Sequence, residues 1–193
     1  TMTGVPAMYI QLLNHPRAPQ YNVRSWKRLQ TGAAPCPVEV QKAFREKFGV
    51  HLYEGYGLTE ASPIVACQAP HQPVKYGSVG PPIKGVEVKI RDDFERELPP
   101  GSPGEITVRG PGVMRGYLKN PEETERALRG GWLHTGDIGY MDEDGYLFIV
   151  ERKKDLIISG GFNLYPSEVE QVLERHPAVA EAAVVGEQDP IKG

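Results

Sequence analysis

The amino-acid sequence predicts a mixed α/β protein in three consecutive parts. These are the end of an α/β sheet, a small β-barrel-like portion, and the start of a small α+β unit. Three observations carry this reading. Up to residue 70, short apolar strands alternate with amphipathic helical segments, the order of a parallel sheet. From 71 to 152 the helical pattern gives way to short strand-like runs separated by turn residues, the pattern of a small barrel or curled sheet. Beyond Arg152 come a charged patch, a Gly160-Gly161 turn and a new helical pattern, which places a boundary at 152–155.

Residues 6–15 read as a short helix with Met8, Leu12 and Leu13 on one side. Residues 26–30 read as a strand running into Thr31-Gly32-Ala33-Ala34-Pro35, where small side chains leave the backbone uncovered. Apolar residues at Val40, Ala43, Phe44 and Phe48 form a helical face over 38–48, and Gly49 ends that helix. A brief strand at 50–53 then delivers Glu54-Gly55-Tyr56-Gly57-Leu58-Thr59-Glu60. In the second part, strands are expected at 86–90, 105–109, 137–141 and 146–152, with turns at Pro99-Pro100-Gly101 and Asp142-Glu143-Asp144-Gly145. In the third, a strand at 156–158 precedes a helix from Pro166 and Ser167. Ser167 and Glu170 stand at capping-box spacing, and Val169, Val172 and Leu173 form the face expected to be buried.

The 193 residues are 39% hydrophobic, enough for a real core, and carry 22 basic against 25 acidic side chains. The two signs are interspersed without a basic stripe, so no nucleic-acid partner is expected. No apolar run approaches the ~20 residues that span a bilayer, and residues 1–9 lack a basic-then-apolar leader pattern. Cys36 and Cys67 have no CxxC spacing and point to a reducing, cytoplasmic setting as small buried side chains. His15, His51, His71, His134 and His176 lack ligand spacing, so no structural metal is expected.

Two segments carry candidate chemistry. If the 142–145 turn closes a hairpin with Met141 opposite Tyr146, Asp137 falls opposite Val150 and Arg152 lies diagonally, about 7–8 Å away on the same face. A carboxylate that accepts and a guanidinium that donates could grip a ribose diol between them. The same spacing also suits an ordinary salt bridge at a hairpin end. In the other segment, Tyr56 lies between Gly55 and Gly57, which let a flat ligand approach the backbone. Thr59 and Glu60 follow with a hydroxyl and a carboxylate suited to a phosphate and its Mg²⁺. A plain glycine turn after a strand reads the same way.

Five segments in order resemble the motifs of the adenylate-forming superfamily of acyl- and aryl-CoA synthetases, luciferases and peptide-synthetase adenylation domains. Tyr56-Gly57-Leu58-Thr59-Glu60 is similar to its YGxTE motif, and Gly32-Ala33-Ala34-Pro35 to its adenine-side loop. Gly104-Glu105 through Gly110 to Gly116-Tyr117 resembles the GE…G…GY block, and Trp132-Leu133-His134-Thr135-Gly136-Asp137 the WxxTGD block. Arg152-Lys153-Lys154-Asp155 with Ser159-Gly160-Gly161-Phe162-Asn163 and Tyr165-Pro166-Ser167-Glu168-Val169-Glu170 resembles the hinge and its following glycine loop.

The resemblance implies ATP, Mg²⁺ and coenzyme A as cofactors or co-substrates of a carboxylic acid. It gives Gly32, Ala33, Ala34, Gly55, Tyr56 and Gly57 to the adenine side, Thr59 to the α-phosphate and Glu60 to Mg²⁺. Asp137 and Arg152 take the ribose, and Ile149 lies near the base or in the core of its own part. Lys154 is the hinge residue, and Gly160 and Gly161 line the coenzyme A side. Residues 1–152 are then the C-terminal part of a large AMP-binding domain, and 153–193 open its small mobile domain.

The hinge run looks most like that of fatty acyl-CoA synthetases. An aryl-CoA ligase, an amino-acid-activating domain and a non-catalytic nucleotide-binding module are the alternatives. Glu151 departs from the Gly or Asp common before the arginine. The family's phosphate loop is expected upstream of this chain and its terminal lysine beyond Gly193, with Lys192 a surface residue. The chain is therefore expected to be a fragment without adenylation activity of its own.

Overall fold

A computed structural model describes residues 1–160, 162–174, 176, 178–179 and 182–187. The first sheet starts with β1 (Met2–Gly4), after which Pro6 opens α1 (Pro6–Asn14), its fixed φ suited to a first helical turn. β2 (Leu29–Thr31) pairs parallel with β1, and α2 (Val38–Phe48) ends where Gly49 takes φ 72°. β3 (Leu52–Gly57) pairs parallel with β2, and β4 (Ile64–Cys67) closes the sheet antiparallel, giving the order β1-β2-β3-β4.

The core beneath this sheet is aromatic. Tyr9 and Phe44 are fully buried and meet edge to face at 5.5 Å, while Trp26 stacks on Phe44 and Phe48 packs beside it. Tyr9, rather than Met8, is the inward residue of α1, and its hydroxyl donates to the Gln30 carbonyl at 2.8 Å. On α2, Ala43 is exposed and the polar Gln41 is buried in its place, because Gln41 has a partner beneath the helix. The expected strand at 26–30 begins three residues later, at Leu29, since Trp26 is engaged with α2 through Phe44 and Phe48.

The second part is β5 (Glu87–Arg91), β6 (Gly104–Arg109), the short helix α3 (Pro121–Ala127), β7 (Leu133–Met141) and β8 (Leu147–Arg152). Its strands form one antiparallel sheet in the order β5-β6-β7-β8. The barrel-like expectation takes the form of an open sheet, with no pairing between β5 and β8 among the described residues. Its core is aliphatic: Val65, Ile90, Ile106, Val108, Leu133 and Leu147 are buried together, and Tyr56, Leu58 and Ile149 pack against them. Segment 78–83 joins the two sheets: Val79 N–H and Ser78 Oγ both donate to the Leu147 carbonyl of β8, while Ile83 N–H donates to the Val65 carbonyl of β4 at 3.0 Å.

A single helical turn at Lys153–Asp155 leads from β8 to β9 (Ile157–Ser159), which pairs antiparallel with β10 (Phe162–Leu164) before α4 (Pro166–Glu174). Two expectations for α4 are corrected. Val169, Val172 and Leu173 are 37%, 61% and 45% exposed, because no described element packs on that face. Ser167 lies inside the helix and caps nothing; its Oγ donates to the Val150 carbonyl at 2.7 Å and its N–H to Glu151 Oε2 at 3.0 Å. Glu170 accepts from Val184 N–H instead.

Candidate active site

The segment after β2 and the end of β3 lie against each other. A Cβ on Gly32 would come 3.0 Å from the Gly55 carbonyl, so glycine permits this approach. Ala33 holds φ 68°, an uncommon conformation for a residue with a side chain, and Ala33 and Ala34 are exposed. From below, the buried Glu54 fixes the loop: Oε1 accepts the Cys36 N–H at 3.0 Å and Oε2 accepts Gln41 Nε2 at 2.7 Å. Burial without a neighbouring cation pushes the Glu54 carboxyl up to about 7 and, with the Glu54 charge, the Cys36 thiol up to about 12.

Tyr56 leaves β3 towards the second sheet. Its hydroxyl donates to Asp137 Oδ2 at 2.6 Å, joining residues 81 positions apart. Burial, followed by the Asp137 charge, raises the phenol well above its ordinary range. Asp137 is raised by burial, against the lowering effects of Tyr56 and Arg152. Arg152 Nε lies 3.6 Å from Asp137 Oδ1, although the guanidinium side chain is 67% exposed and so open to a ligand.

The hairpin register explains the pairing and corrects the sequence expectation. Met141 faces Leu147, not Tyr146, and a bulge follows at Ile138/Gly139, which brings Asp137 directly opposite Arg152. A second irregularity lies on the other edge of β7, between Glu105 and Thr107 of β6. There side chains replace the ladder. Thr135 Oγ1 donates to the Ile106 carbonyl at 2.8 Å and accepts the Asp137 N–H at 3.1 Å. The Gly136 N–H goes to Glu105 Oε1 at 3.2 Å.

Gly57 continues into a tight turn, where a Cβ would strike the Pro63 carbonyl that accepts the Leu58 N–H. Thr59 is exposed at the start of the single turn Thr59–Ala61. Glu60 is half-buried; its Oε1 accepts the Tyr117 hydroxyl at 2.8 Å, and Oε2 accepts no bond among the described residues.

The structure thus brings Gly32 to Gly55, and Tyr56 to Asp137 and Arg152. Ile149 faces Gly139 across the hairpin and packs on the aliphatic core. Lys154 is exposed in its turn, and Gly160 holds φ 58° in the β9–β10 hairpin; Gly161 lies outside the described residues. Sequence reasoning missed Glu54, Thr135 and Glu105 as supports. The signal for each was its place, directly beside a motif glycine: Gly55, Gly136 and Gly104.

A strand-end tyrosine, a carboxylate and an arginine converging beside a glycine loop form a site with the chemistry to hold a nucleotide. The family profile described as AMP-binding enzyme matches residues 1–118, and that described as AMP-binding enzyme C-terminal domain matches 168–193. The chain belongs to the AMP-binding, adenylate-forming enzymes.

It is 47% identical over 191 residues to a long-chain-fatty-acid–CoA ligase of Bacillus subtilis, covering 98% of this chain and 34% of that protein. The ATP-bound RpMatB-BxBclM chimera B1 superposes with a TM-score of 0.95 at 37% identity, covering 100% of this chain and 38% of the chimera. The o-succinylbenzoate CoA synthetase of Bacillus subtilis, solved with its acyl-adenylate intermediate, gives 0.88 at 40% identity, covering 100% and 39%. The chain spans about a third of the length of the curated relatives it matches.

Proposed function

We propose that the protein carrying this chain is an ATP-dependent acyl-CoA synthetase that activates a fatty acid as its acyl-adenylate and passes the acyl group to coenzyme A. Residues 1–152 form the C-terminal part of its AMP-binding domain, and 153–193 open its small C-terminal domain. The observation that carries this reading is the contact of Tyr56, Asp137 and Arg152 across two sheets, next to the Gly32–Gly55 approach.

Asp137 accepts from the ribose hydroxyls in this reading, with Arg152 donating to the same sugar. Tyr56 holds the carboxylate in place and offers its ring to the adenine, beside the exposed backbone of Gly32, Ala33 and Ala34. Ile149 supports the base side from the core. Thr59 donates to the α-phosphate. Glu60 fits a magnesium ion, since Mg²⁺ is commonly held by one or two carboxylates plus phosphate oxygens, and Glu60 Oε2 is available for this. The bound ion would offset charge on the phosphates. The substrate carboxylate attacks the α-phosphorus and pyrophosphate leaves; the coenzyme A thiolate then attacks the acyl carbonyl and AMP leaves. Rotation about Lys154 would exchange the surfaces closing the site between these steps, bringing the Gly160-Gly161 turn to the coenzyme A side. The two free thiols, Cys36 and Cys67, suit a cytoplasmic setting.

The 40% identity to an o-succinylbenzoate CoA synthetase favours a second reading in which the acid is aromatic. ATP–pyrophosphate exchange by the full-length protein, across fatty, aromatic and amino acids, decides between them. Exchange driven by fatty acids supports the first reading and exchange driven by aromatic acids the second. No exchange with any acid rejects both.

A further inference from the structure

Glu105 is buried, with its side chain 9% exposed, and lies behind the Asp137–Arg152 pair rather than in it. Its two oxygens face different parts of the site. Oε1 accepts the Gly136 N–H at 3.2 Å, in the stretch where β7 leaves the regular ladder. Oε2 accepts Lys153 Nζ at 3.1 Å and Arg129 Nη2 at 3.3 Å, and His134 Nδ1 lies 3.4 Å away. Gly136 immediately precedes Asp137, and Lys153 immediately follows Arg152 and precedes Lys154. One carboxylate therefore holds the backbone beside the ribose-side acid and the side chain beside the turn.

The surrounding charges make this contact more than one ion pair among many. Lys153 is shared with Asp93 at 2.8 Å, and Arg129 with Glu95 at 2.8 Å, but both of those acids lie on exposed segments. Glu95 reaches β7 only through the His134 side chain, 3.4 Å away, whereas Glu105 alone of the three accepts a backbone N–H of that strand, from Gly136. Gly136 has φ 71°, and a bulge fixed by side chains has no ladder to hold it if those side chains are changed.

We infer that Glu105 is a positioning residue of the adenylation site, setting Asp137 through Gly136 and holding the 153–155 turn through Lys153. This rests on the reading that Asp137 binds ribose and Lys154 is the hinge. With Glu105 neutralised, the bulge loses a charge-assisted bond and the turn loses its anchor on the second sheet. The two effects fall on different steps: nucleotide affinity for the first, the balance of adenylation and thioester formation for the second.

The test uses the full-length protein with Glu105→Gln, Lys153→Met, their double variant and Asp137→Asn. ATP–pyrophosphate exchange, acyl transfer to coenzyme A and thermal midpoints are measured for each. The expected result for Glu105→Gln is a KM for ATP raised about 10-fold, with a smaller change in kcat. Lys153→Met is expected to shift the ratio of the two half-reactions by about 5-fold, and the double variant to shift it no further than Glu105→Gln alone. A lowered thermal midpoint with unchanged KM and unchanged ratio makes Glu105 merely structural and overturns the proposal. Should Glu105→Gln fail to fold, Lys153→Met decides, and an unchanged ratio again overturns it. If Asp137→Asn leaves the KM for ATP unaltered, the ribose reading itself falls; if it raises that KM while Glu105→Gln does not, only the positioning role falls.

Discussion

Glu54 in the mixed first sheet and Glu105 in the antiparallel second sheet are buried to nearly the same extent, 5% and 7% exposed, yet their surroundings differ in charge. Among the described residues Glu54 has only neutral donors, the Cys36 amide and the Gln41 side chain, and burial dominates to push its carboxyl up to about 7. Burial also acts to raise Glu105, but the bond and charge of Lys153, together with His134, hold its carboxyl below the usual carboxylate range. The two sheets differ in the same way in their cores: rings of Tyr9, Trp26, Phe44 and Phe48 in one, branched aliphatic side chains in the other. The first half positions its loop with neutral hydrogen bonds over an aromatic cluster. The second uses charge to hold a strand that has departed from its ladder.

Removing an aromatic from the first core is expected to have the largest effect on stability. Phe44→Ala empties the centre of the ring cluster and should destabilise the protein by about 3–5 kcal/mol in chemical denaturation. A loss below about 1 kcal/mol would mean that the cluster does not organise this half.

The pH dependence separates the two glutamates. Glu54 is raised in the folded state, so its contribution is fully present below the unfolded carboxylate value near 4.5 and is lost as pH rises towards about 7. That loss is on the order of 3 kcal/mol, and Glu54→Gln should flatten it in a pH series of unfolding curves. Glu105 is lowered, so its contribution is present above that unfolded value and lost as pH falls through its folded value. An unchanged pH profile in Glu54→Gln would remove the contrast between the halves.

A smaller effect is expected from Gly136→Ala. A Cβ there meets no atom within 4 Å, so only the backbone strain at φ 71° is added, about 1–2 kcal/mol. The same variant should weaken nucleotide binding, because strain released by shifting Gly136 also moves Asp137. Isothermal titration with ATP checks this; unaltered affinity would show that the bulge does not aim the carboxylate.

Much of the fold was legible because local chemistry decided it. Gly49 ended α2 as its position required, and Gly160, at φ 58°, follows Ser159 where that residue pairs with Phe162. The motif residues Tyr56, Asp137 and Arg152 were also legible, as a string and through the resemblance it carried. Their mutual contact was not, because it joins Tyr56 to a residue 81 positions away, and the bulge that aligns Asp137 with Arg152 leaves no pattern in an alternating strand. Periodicity assigns the inner face of α2 to apolar residues and so passes over Gln41, for which Glu54 supplies a buried polar partner. The face of α4 read as buried from its spacing alone, and spacing does not say whether an element lies opposite.

The most direct test is ATP–pyrophosphate exchange by the full-length protein with a long-chain fatty acid, comparing wild type with Asp137→Asn. The proposed reading predicts exchange in the wild type and a fall in kcat/KM for ATP of about 100-fold, ~2.7 kcal/mol, in the variant. Exchange that proceeds equally well without the carboxylate would contradict the assignment of this site.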